Sequence, residues 1–251
     1  MEEQSLCGRY EYQVNSYFTD LKRQLSLPAL FCLLQESAWK HAESHNFGWE
    51  ALSAENSFWV LARIKVCIDG YPRWKDSVAV ETWSKEPDAI MAYRDFEVFS
   101  HDSRKLMSAT SSWLILDMES RKPRRISPMK HLFPESCGRT AIDTRPEKLP
   151  QHKVRAGDYV PNTVPYSAID INGHVNNTSY IQWITDSFPF DYIMTHDVYD
   201  IEINFLQEAT ANQQYYVIVE EILPDEYLCS VARHPDNREF SRMMLKFRKR
   251  E

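Results

Sequence analysis

The sequence predicts an α+β protein made of one motif used twice, a long helix followed by about four antiparallel strands. Several runs alternate apolar and polar residues and are rich in β-branched and aromatic side chains, the pattern of half-buried strands. Two other segments carry apolar residues at helical spacing, and each precedes a set of such strands. Between the copies lies a polar stretch with no apolar period.

In chain order, the first helix is expected over LPALFCLLQESAWKHAESH, with Pro28 where a helix can start. Leu30, Leu33, Leu34 and Trp39 fall at roughly helical spacing along it. Strands follow at FWVLARIKVCI (58–68), SVAVETWS (77–84), MAYRDFEVFS (91–100) and LMSATSSWLILD (106–117). The pairs Asp69-Gly70 and Asp102-Ser103 between them have the chemistry of hairpin turns. In the second half, NNTSYIQWITDSFPF is helical in pattern, with Tyr180, Ile181 and Ile184 as a buried stripe and Asn176 or Asn177 as N-cap. Its strands are DIEINFLQ (200–207), QYYVIVEEI (214–222), YLCSVARH (227–234) and EFSRMMLKFRK (239–249). Residues 136–155 read as a connection across the surface, which sets the two domains at 1–135 and 156–251. A sheet wrapped around a helix buries one face of each strand, and two such units can join edge to edge, removing an exposed edge from each. The expected architecture is therefore a double hotdog, two antiparallel sheets each around a long helix.

Composition narrows the function. With 43% hydrophobic and 26% charged residues among 251, the chain reads as an ordinary soluble globular protein. No window approaches the ~18 apolar residues of a membrane helix, so no membrane span is expected. The start, MEEQSLCGRYEYQVNSY, is polar and acidic and reads as neither signal nor transit peptide. Five scattered cysteines without CxxC pairs favour free thiols in a reducing compartment, with the cytoplasm as the expected location. A net charge of −7 gives no global field to attract nucleic acid. Two local basic clusters, RKPRR (121–125) and KFRKR (246–250), are either interaction sites or solvated charge.

The chemistry concentrates in DINGHVNN, residues 170–177. There is no GxSxG, P-loop, HExxH or GxGxxG in a strand-to-helix context. A calcium loop starting at Asp170 would need glycine at its sixth position and glutamate at its twelfth, where Val175 and Ile181 stand. In an extended segment, Asp170, Asn172 and His174 point the same way, about 6.6 to 6.8 Å per pair. They form one polar row just before a helix whose first-turn N–H groups, Val175 to Thr178, offer donors and a positive dipole end. Gly173 lets a substrate approach the backbone. The residues alone also allow a structural reading, with Asp170 and Asn172 as Asx-turn formers and His174 merely packing.

AIDINGHVNNTSYIQWITDS closely resembles the signature of acyl-acyl carrier protein (acyl-ACP) thioesterases, the plant plastid enzymes and their bacterial relatives. FWVLARIKVCIDGYPRWKDSVAVETW, with Tyr71-Pro72-x-Trp74 and Thr82-Trp83, resembles the family's N-terminal strand pair. YRDFEV and SATSSWLILDMESRKPRRI match its next two strands, and FLQEAT places Glu208 where the family carries a distal carboxylate. The likeness runs from about Tyr12 to Phe247. Plant members often have cysteine after that glutamate, and this chain has Ala209, so a cysteine nucleophile has no residue to act through. The plant transit peptide and hydrophobic anchor are also missing, which fits a bacterial-type soluble enzyme.

The resemblance implies hydrolysis of fatty acyl-ACP to free fatty acid, without metal or cofactor. Its partner would be acyl carrier protein bearing a fatty acyl phosphopantetheine, and assembly as a homodimer stays open. The implied catalytic set is Asp170, Asn172, His174 and Glu208. Glu208 would serve as base for water, Asn172 orient water or carbonyl, His174 act on the carbonyl or leaving sulfur, and Asp170 position the loop. Direct attack by Asp170 to give an anhydride stays open beside this. Gly173, Val175 and Asn176 would meet the thioester, and Leu30, Phe31, Leu34 and Trp39 of the first helix would line an acyl tunnel. Arg121, Lys122, Arg124 and Arg125 would dock the acidic carrier protein. An acyl-CoA hydrolase of the same fold, or a non-catalytic acyl-binding sensor, are the alternatives.

Overall fold

The computed structural model of the protein describes residues 5–152 and 159–250, so the end of the expected 136–155 connection and the start of the expected second domain lie outside the described residues. By its contacts the chain divides into two compact units, Met1–Ser26 with Leu30–Pro146 and Leu27–Ala29 with Glu147–Glu251.

The first unit contains β1 (Cys7–Gln13), α1 (Leu27–Ser44), α2 (Trp49–Ala54), β2 (Ser57–Ile68), β3 (Ser77–Lys85), β4 (Met91–Ser100) and β5 (Lys105–Asp117). Its strands lie in the order β1-β3-β4-β5-β2, with antiparallel pairing throughout. Ser103 at φ 63° turns the β4–β5 hairpin, as expected of Asp102-Ser103. Asp69-Gly70 makes no hairpin: β2 pairs with β5, and the chain after it crosses to β3, which lies between β1 and β4. β1 and α2 were not expected. β1 alternates Arg9, Glu11 and Gln13 outward and so reads as a polar terminus. The six residues of α2 are too few to show a helical period, yet Leu52 anchors it in a cluster with Ala92, Ile115, Ile126 and Met129.

On α1, Leu30, Phe31, Leu33 and Leu34 are buried. Trp39 corrects the expected stripe: it is 54% exposed, because five residues beyond Leu34 is about 140° further round the helix. α1 meets the sheet through polar contacts as well. Ser37 bonds Tyr12 at 2.9 Å, and Arg94 on β4 donates to His41 Nδ1 and Thr82 Oγ1 at 3.1 Å and to Ser84 Oγ at 3.3 Å.

The second unit repeats the plan with β6 (Asn162–Thr163), α3 (Asn177–Thr185), α4 (Phe190–Thr195), β7 (His196–Phe205), β8 (Gln214–Leu223), β9 (Glu226–Arg233) and β10 (Glu239–Lys249). Its order, β7-β10-β9-β8-β6, matches that of the first unit strand for strand. Tyr180, Ile181 and Ile184 are buried as the pattern predicts, and α3 packs on β8 and β9. The expected second long helix is, however, a helix of nine residues. Pro189 stops it: proline disfavours helical backbone in the residue before it, so a fresh short helix, α4, starts beyond with Pro189 as N-cap.

The connection expected across the surface is bonded down within each unit. In the first, Trp83 Nε1 donates to Arg139 O at 2.9 Å and Asp95 accepts Ala141 N–H at 2.8 Å. In the second, Asn204 accepts from Leu149 N–H and donates to Glu147 O, both at 2.9 Å. Among the described residues, no helix is long and apolar enough to cross a membrane.

Burial, reinforced by the Arg94 guanidinium, lowers the His41 pKa from 6.5 to about 3. The unfolded chain therefore takes up a proton near pH 6.5 that the folded one refuses until near pH 3. Stability present above pH 6.5 is lost as pH falls through that window, by up to about 1.4 kcal/mol per pH unit. His41→Gln, which keeps an acceptor for Arg94, is expected to show a shallower loss of urea midpoint between pH 7 and pH 4.5 than the wild type.

Candidate active site

Two loops of the second unit form the site. The first, 169–176, runs into α3. Asp170 accepts the Asn172 N–H at 2.8 Å and, more weakly, the His174 N–H at 3.4 Å. Gly173 turns the chain at φ 79°, its N–H bonded to Asp170 O at 3.0 Å, and Asp170 N–H returns to His174 O at 2.8 Å. The acid, amide and imidazole therefore do not lie along a straight extended row. They belong to a tight loop closed by the Ile169–Val175 bridge.

The second loop, 206–210, follows β7. Strict alternation along the strand would turn Glu208 away from the core face. β7 instead ends at Phe205, and the N–H groups of Leu206 and Gln207 both go to Phe240 O. That irregular exit frees the next residues from the strand's period. Val175 N–H then donates to Ala209 O at 2.8 Å and pins one loop on the other. The Ala209 N–H, on a fully buried residue, donates to the Tyr180 hydroxyl at 3.3 Å. Burial, with the carboxylates of Glu208 and Asp170 acting the same way, pushes the Tyr180 hydroxyl far above the usual phenol range, so it stays protonated.

The loops bring His174 Nε2 to 3.5 Å from Glu208 Oε2, with both side chains partly exposed, 27% and 38%. Asn172 is exposed, and its side-chain amide makes no hydrogen bond among the described residues. A Cβ built on Gly173 would meet no heavy atom within 4 Å, so the space over that backbone is open. The two loops thus carry a partly exposed imidazole–carboxylate pair, an exposed primary amide two residues from the imidazole, and open backbone, the groups needed to move a proton and hold a carbonyl.

Several expected contributors do other work. The amides proposed as helix-end donors are largely consumed: Val175 N–H by Ala209 O, Asn176 N–H by Ala168 O at 2.8 Å, and Thr178 N–H by Asn176 Oδ1 at 3.0 Å. Of the four, only the Asn177 N–H makes no hydrogen bond among the described residues. Val175 is buried and Asn176 caps α3, so both shape the loop rather than present themselves to a ligand. In the first unit, Leu30, Phe31 and Leu34 are buried. Arg124 donates to Ser57 Oγ at 2.6 Å and to Glu55 O, and Arg121 lies over the Phe58 ring at 4.5 Å. Lys122 and Arg125 are exposed without an ion pair among the described residues. Tyr180, as the residue that holds the Glu208 loop, was missed by the sequence reading. Its helical spacing marks it as core and says nothing of its hydroxyl.

A recess of about 630 Å³ beside Leu206 and Gln207, also lined by His152 and Asp236 to Glu239, includes none of Asp170, Asn172, His174 or Glu208. Among the described residues no group of three or more His, Cys, Asp or Glu could hold a metal ion.

Tyr180→Phe keeps the ring packing and removes the acceptor of the buried Ala209 N–H. It is expected to cost about 1 kcal/mol of stability and, by loosening the Glu208 loop, to lower kcat more than it raises KM. Denaturant unfolding and steady-state kinetics on the same variant check both.

Residues 7–129 match the acyl-ACP thioesterase N-terminal domain and residues 151–248 the acyl-ACP thioesterase C-terminal domain. A chloroplastic acyl-[acyl-carrier-protein] hydrolase of Cuphea viscosissima is 26% identical over 81% of this chain, and oleoyl-acyl carrier protein thioesterase 1 of Arabidopsis thaliana is 26% identical over 83%. The chain spans 52% and 62% of the length of these two curated relatives. The crystal structure of an acyl-ACP thioesterase from Bacteroides thetaiotaomicron superposes with a TM-score of 0.84 at 26% identity, covering 99% of this chain and all of the other. The 12:0-ACP thioesterase of Umbellularia californica shares the fold, with a TM-score of 0.85 at 22% identity over the whole of both chains.

Proposed function

We propose, from the premise that this chain belongs to the acyl-ACP thioesterase family, that it hydrolyses the thioester of fatty acyl-ACP and releases the free fatty acid. The observation that carries this reading is the His174–Glu208 pair at 3.5 Å beside the unengaged Asn172 amide.

A thioester needs an activated water and donors for the oxyanion, whereas a thiol of pKa ~8.5 departs with little help. Glu208 is the base for water, Asn172 donates to the carbonyl, and His174 exchanges a proton with the leaving sulfur. The oxygen of water bonds the acyl carbon, the C–S bond breaks, and the two protons of water end on the acid and the thiol. The two units are the halves of a double hotdog, and the N-terminal one holds the acyl chain along the Leu30, Phe31 and Leu34 face of α1. Trp39 lies on the exposed side of that helix, off this face. Five cysteines without a disulfide fit a reducing compartment such as the cytoplasm.

His174→Ala and Asn172→Ala are each expected to lower kcat by on the order of 10²-fold, with circular dichroism unchanged. Thiol release from acyl-ACP at the wild-type rate by either variant would remove the site. Hydrolysis of acyl-CoA with a kcat/KM at or above that for acyl-ACP would shift the carrier to coenzyme A, and ligand binding without thiol release would leave only a sensor.

Docking of the acidic carrier falls on Lys122 and Arg125, because Arg121 and Arg124 are engaged within the fold. Reversing both to Glu is expected to raise KM for acyl-ACP by about 5- to 10-fold and that for acyl-CoA by much less, since an acidic protein surface meets both rim charges at once. An equal change on both substrates refutes the patch.

A further inference from the structure

The loop that carries the site occurs twice. The 3₁₀ turns at Ser16–Phe18 and Tyr166–Ala168 lie 150 positions apart, and so do the Thr19–Leu25 and Ile169–Val175 bridges they lead into. Bond by bond the loops agree. Asp20 accepts the N–H groups of Lys22 at 2.8 Å and Gln24 at 3.2 Å, as Asp170 accepts those of Asn172 and His174. Asp20 N–H returns to Gln24 O at 3.0 Å, where Asp170 N–H returns to His174 O. Arg23 takes the left-handed place of Gly173, at φ 60°. Leu25 N–H donates to Pro72 O at 2.8 Å, the counterpart of Val175 N–H to Ala209 O, which sets Tyr71 against Glu208.

The first copy therefore has Lys22, Gln24 and Tyr71 where the second has Asn172, His174 and Glu208. It keeps only the aspartate. An aspartate that makes the same two bonds in a loop holding none of the other reacting groups is doing work the loop itself needs. We infer that Asp170 is a positioning residue, whose Oδ1 shapes the loop that presents Asn172 and His174, and that water rather than Asp170 attacks the thioester. Attack by Asp170 would require an oxygen already committed to two backbone N–H groups, or its neighbour on the same carboxylate, to leave the arrangement both copies share. This rests on the thioesterase reading above.

Asparagine keeps an Oδ1 acceptor for both N–H groups and cannot form an acyl anhydride. Asp170→Asn is therefore expected to retain kcat within about tenfold of wild type, with its mass checked to exclude reversion by deamidation. Asp170→Ala loses at least about 10²-fold. In the first copy, Asp20→Ala lowers Tm and Asp20→Asn restores it, as the same pair does at 170. A folded Asp170→Asn as inactive as Asp170→Ala, beside an active wild type, overturns the inference. So does an Asp20→Ala variant with wild-type Tm, because it breaks the equivalence of the loops. A wild type that releases no thiol removes the thioesterase reading and the inference with it.

Discussion

One hydrogen bond organises the proposed active site of this protein, from Val175 N–H to Ala209 O. Without it, the loop before α3 and the loop after β7 are two separate pieces of surface. With it, residue 174 is set against residue 208 across a single backbone contact. A bond of this kind is worth only about 1 kcal/mol net, because unfolding exchanges it for water. Its value here is geometric. The buried Tyr180 hydroxyl then takes the Ala209 N–H, so the loop bearing Glu208 is held through both backbone groups of one residue.

The first unit makes the equivalent bond from Leu25 to Pro72 and builds the same loop with different side chains. Scaffold and chemistry are thus separable in this fold. Open backbone at Gly173 is replaced by an arginine side chain at residue 23, and an imidazole–carboxylate pair by glutamine and tyrosine. The first unit accepts a different electrostatic burden. Arg94 is buried with hydrogen bonds to a histidine and two hydroxyls, and burial lowers its pKa to about 10, so it remains charged at neutral pH. A buried charge held by neutral dipoles is costly and ties α1 to β3 and β4 through one group.

Much of this was legible in the sequence, for physical reasons specific to each element. α1 announces itself by Pro28 and the helical spacing of Leu30, Leu33 and Leu34, and the long strands by alternation that burial then enforces. α3 is shorter than its pattern because the apolar stripe continues past Thr185 while Pro189 forbids the backbone to follow. β1 was hidden because its outward face is wholly polar, and α2 because six residues cannot display a period. The Asp69-Gly70 pair has hairpin chemistry but serves a crossover, since pairing partners are chosen by the sheet and not by the turn. The motif marks the loop before α3 on which the proposed site is built. The reach of Glu208 was not legible, because it depends on where β7 stops, and that is set by Phe240 on another strand.

The motif's asparagines follow from the same accounting of N–H groups. A helix N-terminus offers free donors only while nothing else claims them. Here Ala209 takes one, Ala168 a second, and the Asn176 side chain a third, all to build the loop. A site assembled this way leaves little of the helix end for the oxyanion of the proposed reaction. It needs a donor brought by a side chain, placed where the loop is exposed and unengaged, and Asn172 meets both conditions. Asn176, four residues on, satisfies the helix at the same time. One amide is committed to structure, and the other is left for the substrate role proposed for Asn172.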